Sequence, residues 1–223
     1  MSLAQLEQFR QYCHELVDWN RGVNLTTITD WDEVQTRHFA DSLSVALAIP
    51  PEKLAECRLA DIGSGAGFPG LPLKIALPGL QVTLVESTAK KTAFLRHVVD
   101  VLELTGVDIR AGRAETLSHE PEMREAFDVV TARAVAAMNT LAELMLPFCR
   151  IGGVAIAQKG HDLDEELRQA ERAISILGGI IKEVKQISIE GQRGPRALVI
   201  VEKIRATPDQ YPRRPGMPAK RPL

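Results

Sequence analysis

The chain has 223 residues, of which 45% are hydrophobic and 25% are charged, a balance typical of a soluble globular protein of one domain with at most a small appendage. A net charge of −2, from 27 lysines and arginines against 29 aspartates and glutamates, excludes a protein that holds nucleic acid mainly through bulk charge. No apolar run is long enough to cross a bilayer, no signal peptide is evident, and three widely separated cysteines predict reduced thiols, no metal site and a cytoplasmic protein without membrane contact.

Residues 1–55 predict a small helical cap. Hydrophobic residues of the first helix recur at steps of three and four and so form one apolar stripe: Leu6, Phe9, Cys13, Leu16 and Val17. Two further helices are predicted over residues 31–37, with Asp30 as the N-cap, and over residues 41–49. Pro50-Pro51 then closes the region.

Residues 56–204 predict an α/β domain in which strands alternate with helices. The predicted strands cover residues 58–62, 81–86, 107–111, 127–131 and 153–158, and the predicted helices cover 71–77, 88–102, 138–148 and 162–177. Two late strands, 180–189 and 196–204, follow one another through a hairpin-like connection at residues 191–195. This order predicts a mostly parallel seven-stranded sheet covered by helices on both faces, with a final antiparallel strand inserted at one edge.

Residues 205–223 predict a basic, proline-rich tail. From residue 203 onward six basic residues face Asp209 alone, and five prolines interrupt the segment. Because proline ends helices and cannot donate a hydrogen bond to a sheet, we expect an extended tail outside any helix or central strand. Composition leaves open whether this tail is merely solvated or binds an acidic partner.

A glycine-rich segment follows the first predicted strand and indicates a ligand-binding turn. Gly63 permits a sharp turn, and Gly65 and Gly67 let a ligand approach the backbone. Glu86 ends the second strand, where a carboxylate accepts hydrogen bonds from both hydroxyls of a ribose. The segment therefore predicts a cofactor of the adenosine type, with a purely structural turn as the alternative.

The spacing of the glycines favours one such cofactor. Phe68 follows Gly67, so the dinucleotide pattern G-x-G-x-x-G is absent, and no G-K-[ST] of a P-loop is present. A G-x-G-x-G turn after Asp61 suits a cofactor without a pyrophosphate, namely S-adenosylmethionine. We expect residues 112–115 beside its adenine and Arg133, at the end of the fourth strand, facing the methyl group and the substrate.

These motifs resemble one family over nearly the whole chain. The matching segments are Asp61-Ile-Gly-Ser-Gly-Ala-Gly-Phe-Pro-Gly70, Val85-Glu-Ser-x-x-Lys90-Lys91, Arg113-Ala-Glu115, Thr131-Ala-Arg-Ala134, Lys159-Gly160, Arg37-His38-x-x-Asp41-Ser42-Leu43 and Tyr211-Pro-Arg-Arg214. In this order they resemble the small-subunit ribosomal RNA methyltransferase G family, also called glucose-inhibited division protein B. The resemblance implies a Rossmann-like class I methyltransferase that places a methyl group on N7 of one guanine in 16S ribosomal RNA.

The resemblance also implies which residues bind the cofactor. Together with the glycine turn, the predicted contacts to S-adenosylmethionine, and to its product S-adenosylhomocysteine, are Gly63, Gly65, Gly67, Phe68, Glu86, Ser87, Thr88, Ala114, Glu115 and Arg133. Guanine N7 has a free electron pair and no proton, so this chemistry requires neither a general base nor a cysteine nucleophile. We therefore expect Arg133 to act by orienting the guanine or its phosphate.

Basic and aromatic residues in several segments are candidates for RNA contacts. They are Arg37, His38, Lys90, Lys91, Lys159, Arg193, Arg196, Tyr211, Arg213 and Arg214. Simpler interpretations stay open: Lys90 and Lys91 as a solvated helix start, His38 as a packed histidine bonded to Asp41, and Lys159 as a loop anchor. Because the candidate cations are few and the body of the protein is acidic, we predict weak binding to naked RNA. We therefore expect the substrate to be 16S rRNA within the small ribosomal subunit or its precursor. We also expect a monomer.

Two other classes of protein stay open at this point. A dinucleotide-dependent reductase has the glycine turn and Glu86 in its favour, but Phe68 and the absence of a Tyr-x-x-x-Lys pair oppose it. A non-catalytic RNA-binding or ribosome-assembly protein on a methyltransferase fold is opposed by the joint presence of Gly63, Glu86 and Glu115.

Overall fold

Seven strands form a single sheet in the computed structural model, which describes residues 1–133, 135–160, 163–191, 194 and 196–223. The strands within these residues are β1 (Arg58–Ile62), β2 (Gln81–Glu86), β3 (Val107–Ala111), β4 (Phe127–Arg133), β5 (Cys149–Lys159), β6 (Gly179–Ile187) and β7 (Arg196–Lys203).

The strand order is β3-β2-β1-β4-β5-β7-β6. The first five strands pair in parallel, and β7 runs antiparallel between β5 and β6. The predicted mixed sheet, with one late strand inserted near an edge, is confirmed. The order reverses at β1, so the chain leaves β1 and β4 in opposite directions and a crevice opens beyond their carboxyl ends.

Helices cover both faces of the sheet. Within the described residues they are α1 (Leu3–Asn20), α2 (Trp31–Val34), α3 (Asp41–Ser44), α4 (Gly70–Ala76), α5 (Ala89–Val101), α6 (Ala114–Leu117), α7 (Met138–Met145), α8 (Asp164–Ile176) and α9 (Met217–Lys220). One buried apolar cluster joins α1, α4 and α5 to the sheet, and a second joins α7 and α8 to the other face. No helix in the described part of the chain is long and apolar enough to cross a membrane.

The helical cap begins as predicted and then departs from the prediction. Ser2 caps α1 through a capping box with Gln5, and the helix buries Phe9, Tyr12, Cys13 and Leu16. The helices predicted at 31–37 and 41–49 are one continuous helical segment, because a π-helical stretch, Gln35–Ala40, joins α2 to α3 and a 3-10 turn, Val45–Ala48, follows. Such π-helical turns often mark functional sites, and this one carries two of the predicted site residues.

The prediction of an extended tail without a helix is wrong. The tail packs on the domain through Tyr211, and α9 begins at Met217 with Pro218 in its first turn. A proline costs little there, because the amide groups of a first helical turn have no partner within the helix. Composition leaves open whether the tail is solvated, whereas the structure shows that contacts to buried side chains, among them Glu143, hold the segment in place.

Candidate active site

A cavity of about 290 Å³ opens at the carboxyl ends of β1 to β4. We call it the loop cavity; the predicted cofactor residues that line it are Gly63, Glu86, Ser87, Thr88, Ala114, Glu115 and Arg133. Its volume lies near the lower end of the range for small-molecule sites, roughly 300–1,000 Å³. The structure therefore brings together seven of the ten residues predicted to contact the cofactor.

Glu86 shapes the turn that bounds the loop cavity. One oxygen, Oε2, accepts a hydrogen bond from the Gly65 amide at 2.9 Å, and Oε1 accepts one from the Thr88 amide at 2.7 Å. The side chain is nevertheless at the cavity wall, and a carboxylate has lone pairs for more than two donors. Glu86 can thus fix the loop and still accept hydrogen bonds from a ribose.

The glycines differ in what they make room for. Gly63 has φ +71°, and a Cβ there would lie 2.9 Å from Val135 Cγ2, so any side chain would crowd the cavity. Gly67 has φ +94°, and its Cβ would lie 2.6 Å from the Tyr12 hydroxyl oxygen. Gly67 therefore makes room for the packing of the loop on α1, and it is not among the residues that line the loop cavity.

Phe68 also lies away from the loop cavity. Its side chain is buried and stacks on Tyr12 at 5.4 Å and on His38 at 4.6 Å between ring centroids. The Arg133 guanidinium lies over the same ring, 4.8 Å from its centroid. Phe68, predicted as a cofactor contact, is thus a support for Arg133 in this structure.

Arg133 separates the loop cavity from a second cavity. Its Nη1 lies 3.1 Å from Asp41 Oδ2, and its Nη2 lies 3.3 Å from His38 Nδ1. Burial lowers the pKa of Arg133, and Asp41 opposes that effect. The ion pair holds the guanidinium as a wall shared by both cavities, an arrangement that sequence spacing did not reveal.

The second cavity lies between the helical cap and the ends of β4, β5 and β7, and it also measures about 290 Å³. We call it the cap cavity; its charged and polar lining residues are Arg37, His38, Asp41, Arg133, Gln158, Lys159 and Arg196. Four of the predicted RNA contacts thus meet here with Arg133. Sequence reasoning missed Gln158 entirely and noted Asp41 only within a motif and as a partner for His38.

His38 is a packed histidine, but not through the expected partner. Its Nε2 lies 2.8 Å from Thr26 Oγ1 and its Nδ1 lies 3.3 Å from Arg133 Nη2, so the ring nitrogens have partners other than Asp41. Burial, together with the positive charge of Arg133, lowers the pKa of His38 to about 4. The ring is therefore neutral at physiological pH and adds no charge to the cap cavity.

The other predicted RNA contacts lie in different surroundings. Lys159 Nζ lies 2.5 Å from Glu166 Oε1 and donates to the Ala136 carbonyl, which favours the interpretation as a loop anchor. Lys90 is exposed at the start of α5, whereas Lys91 lines the loop cavity. Arg193 lies outside the described residues.

The tail reaches the loop cavity from the side. Arg213 pairs with the fully buried Glu143 at 2.7 Å, and the Gly216 amide donates to Glu115 Oε1 at 2.9 Å. Tyr211 is half-buried, and Arg214 is exposed. The tail thus holds one carboxylate of the predicted cofactor site.

Two other groups of residues bear on the chemistry. Burial raises the pKa of Cys13 and Cys57 to about 11 and that of Cys149 to about 12, so none is a thiolate at neutral pH. Asp61 is fully buried below the loop, and burial raises its pKa to about 7 against the opposing effect of a hydrogen bond from the Gly70 amide. Among the described residues, no cluster of histidine, cysteine and acidic side chains is suited to a metal ion.

The sheet order and the cavity at its switch point define a class I methyltransferase fold. Among solved structures, the precorrin-6y C5,15-methyltransferase of Geobacter metallireducens is similar, with a TM-score of 0.54 and 17% identity over 82% of this chain and 92% of that one. A structure of M. jannaschii TYW2 in complex with AdoMet has a TM-score of 0.53 at 14% identity, covering 67% of this chain and 70% of that one. These likenesses show the fold.

Sequence comparison gives the family. Residues 5–194 match the family model described as rRNA small subunit methyltransferase G. A relative of that name from Roseiflexus castenholzii is 53% identical over 98% of this chain and 92% of its own length, and one from Dehalococcoides mccartyi is 48% identical over 100% and 94%. The chain belongs to the rRNA small subunit methyltransferase G family, which confirms the resemblance and leaves the reductase alternative without support.

Proposed function

We propose that this protein transfers a methyl group from S-adenosylmethionine to N7 of one guanine in 16S ribosomal RNA of the small subunit. The observation that carries the proposal is the shared wall: Arg133 borders both a cavity of cofactor type and a cavity of basic and polar residues. Membership of the family, over almost the full chain, supports the reaction class and the RNA substrate.

The residues that line the loop cavity are suited to S-adenosylmethionine. Glu86 and Glu115 offer carboxylate oxygens to ribose hydroxyls and to amino groups, and Gly63 keeps the wall free of a side chain. When bound, the cofactor supplies a methyl group made electrophilic by its sulfonium. Glu86, Ser87, Thr88, Ala114 and Glu115, which line the cavity, would hold the cofactor, and Arg133 would lie on the substrate side.

The reaction requires little acid or base chemistry from the protein. The N7 electron pair forms the new bond to carbon, the electrons of the broken carbon–sulfur bond stay on sulfur, and no proton moves. The products are S-adenosylhomocysteine and an N7-methylguanine that carries one positive charge. With its cysteines buried as thiols, the protein contributes orientation and electrostatics.

Arg133 is suited to the task of orientation. Phe68 supports its guanidinium from one side, and Asp41 fixes it from the other. A guanidinium held in this way is a rigid donor for guanine O6 or for a phosphate oxygen. We place the protein in the cytoplasm, where the small subunit is assembled, and as a monomer.

A transfer assay tests the proposal. Small and large ribosomal subunits from cells that lack this methyltransferase are incubated with the protein and S-adenosylmethionine labelled in its methyl group. We expect label in small-subunit RNA alone. Binding of the cofactor, measured by calorimetry, without label in any subunit would contradict the proposal and would favour an assembly protein on a methyltransferase fold.

A further inference from the structure

The cap cavity holds two buried hydrogen-bond acceptors without a donor. Asp41 Oδ1 and Gln158 Oε1 accept no hydrogen bond from any described residue, although both side chains are more than nine-tenths buried. Unsatisfied buried acceptors are costly and therefore uncommon in folded proteins. Because Asp41 and Gln158 both line the cap cavity, a ligand bound there is in a position to supply the missing donors.

The two acceptors belong to adjacent, well-fixed side chains. Gln158 Nε2 donates to the Asp41 backbone oxygen at 2.7 Å, and this bond leaves Oε1 as the free end of the amide. Asp41 Oδ2 is held by Arg133 at 3.1 Å, so Oδ1 is the oxygen that remains, with the Arg196 guanidinium 3.5 Å away. Gln158 Oε1 has no partner that a ligand must displace, whereas a donor to Asp41 Oδ1 would join the ion pair that this oxygen makes with Arg196 Nε.

Two neighbouring acceptors select one base among the four. Guanine alone presents two adjacent donors, N1–H and the 2-amino group, on its Watson–Crick edge. Adenine, cytosine and uracil each place at least one acceptor beside their single donor group on that edge, which repels a carboxylate or an amide oxygen. Arg37, which pairs with Glu33, and Arg196, which pairs with Asp41, add positive charge at the same cavity, and this charge attracts the phosphates of the nucleotide.

From this match we infer that the cap cavity is a guanine-specific pocket, in which Asp41 Oδ1 accepts from N1–H and Gln158 Oε1 accepts from the 2-amino group. The inference rests on the proposed function and extends it to the recognition of the base. N1–H is the more acidic donor and so is matched to the carboxylate. N7 then lies on the opposite edge of the ring, away from both acceptors.

The pocket also explains how the protein stabilises charge that develops in the reaction. Transfer to N7 gives the guanine a positive charge and makes N1–H a stronger donor. The Asp41 carboxylate therefore binds the base more strongly in the transition state than in the ground state, which is the condition for catalysis. The fixed position of this carboxylate means that little reorganisation is required.

A single-atom change in the substrate tests the pocket. Small-subunit particles are assembled with either guanine or hypoxanthine at the target position, since hypoxanthine keeps N7, O6 and N1–H but lacks the 2-amino group. We expect the wild-type kcat/KM for hypoxanthine to be at least about tenfold lower, because a site built for a donor is left with an unpaired buried acceptor. Binding of both particles in the presence of S-adenosylhomocysteine should show the same preference.

A pair of matched variants assigns the preference to Gln158. Gln158→Met removes the acceptor with little change in shape and should bring the ratio of kcat/KM for guanine over hypoxanthine to about one. Gln8→Met is the control, because Gln8 likewise donates to a backbone carbonyl, that of Leu102, but lies on α1 away from both cavities. This variant should keep the wild-type ratio.

The possible results separate the two proposals. If the wild-type protein methylates both particles equally well, the assignment of the cap cavity as a guanine-specific pocket is wrong, and the proposed function is unaffected. If the cofactor binds but the guanine particle is not methylated, the proposed function is wrong, and so is the guanine pocket that rests on it. The comparison of guanine and hypoxanthine with the wild-type protein tests the pocket even if Gln158→Met does not fold. A folded Gln158→Met with an unchanged ratio of kcat/KM for guanine over hypoxanthine would contradict the role of Gln158.

Discussion

The position of Arg133 can be predicted from the sequence, but its partner cannot. Its place at the end of a central strand predicts that it borders the site, and in the structure it ends β4 and lines the loop cavity. Its ion pair with Asp41 joins residues 92 positions apart, across the boundary between the cap and the sheet. Sequence spacing carries information about residues on one helix or strand, so it does not reveal such a pair.

Removing the Arg133 side chain should affect both stability and activity. Arg133→Ala leaves the buried Asp41 carboxylate without its main partner, at a cost of about 3 kcal/mol in the free energy of unfolding. Arg10→Ala, which breaks an exposed pair with Glu7, should cost under about 1 kcal/mol. Urea unfolding measures both, and undiminished methylation by Arg133→Ala in the transfer assay would rule out its role in orientation.

His38 should make the protein less stable in acid. Its pKa is lowered to about 4 in the folded state, against an ordinary value of 6.5, so the unfolded chain binds more protons between these values. The contribution of neutral His38 to the free energy of unfolding is present above pH 6.5 and is lost as the pH falls toward 4. When the pH is lowered from 7 to 4.5, the free energy of unfolding, measured in urea, should fall by up to about 3 kcal/mol more for the wild-type protein than for His38→Gln.

The comparison with His38→Gln is needed because other groups titrate in the same range. Asp61, with its pKa raised to about 7, has the opposite dependence, since its folded form binds the additional proton. Taking the difference between wild type and variant removes the contribution of Asp61. If the free energy of unfolding changes with pH in the same way for both proteins, His38 is not the group that makes the protein less stable in acid.

At the scale of elements, regular periodicity is predictive and composition is not. The alternation of apolar runs gives all seven strands to within a few residues, and the shift of β5 to begin at Cys149 is the largest difference. The continuous helical segment across residues 31–48 was missed because a π-helical turn has no local sequence signal. The tail was misjudged because its prolines and charges do not reveal the buried Glu143 that receives Arg213.

The tail should stabilise both the fold and the cofactor site. Arg213→Ala leaves Glu143 buried without its cation, at a cost of about 3 kcal/mol, whereas Arg214→Ala, at an exposed neighbour, should change stability by less than about 0.5 kcal/mol. Because Gly216 bonds Glu115, Arg213→Ala should also raise the Kd for S-adenosylmethionine severalfold. Urea unfolding and calorimetry measure the two effects, and an unchanged Kd would show that the tail does not hold the cofactor site.

At the scale of the whole molecule, two cavities from different parts of the chain meet at one side chain. The loop cavity is built by the sheet and its connections, as the glycine motif predicts. The cap cavity requires the cap, β5 and β7 together, so only the folded chain reveals it. The net charge of −2 leaves little general attraction for RNA, so the shape of the substrate has to contribute to binding.

This charge distribution predicts a preference for assembled substrate. The kcat/KM for methyl transfer should be at least about tenfold higher on small-subunit particles than on naked 16S RNA at physiological salt. The comparison uses both substrates from cells that lack the enzyme, at equal concentration of the target guanine. Equal rates on the two would mean that local sequence and charge suffice for recognition.

The identity of the methylated atom is the sharpest test of the proposed function. Small-subunit RNA methylated by the protein is digested to nucleosides and analysed by mass spectrometry against methylguanosine standards, and borohydride and aniline cleavage then locates the position. We predict 7-methylguanosine at one site and no other new methylated nucleoside. A methyl group on another atom or another base would contradict it, because neither the guanine pocket nor the absence of a general base would then fit the reaction.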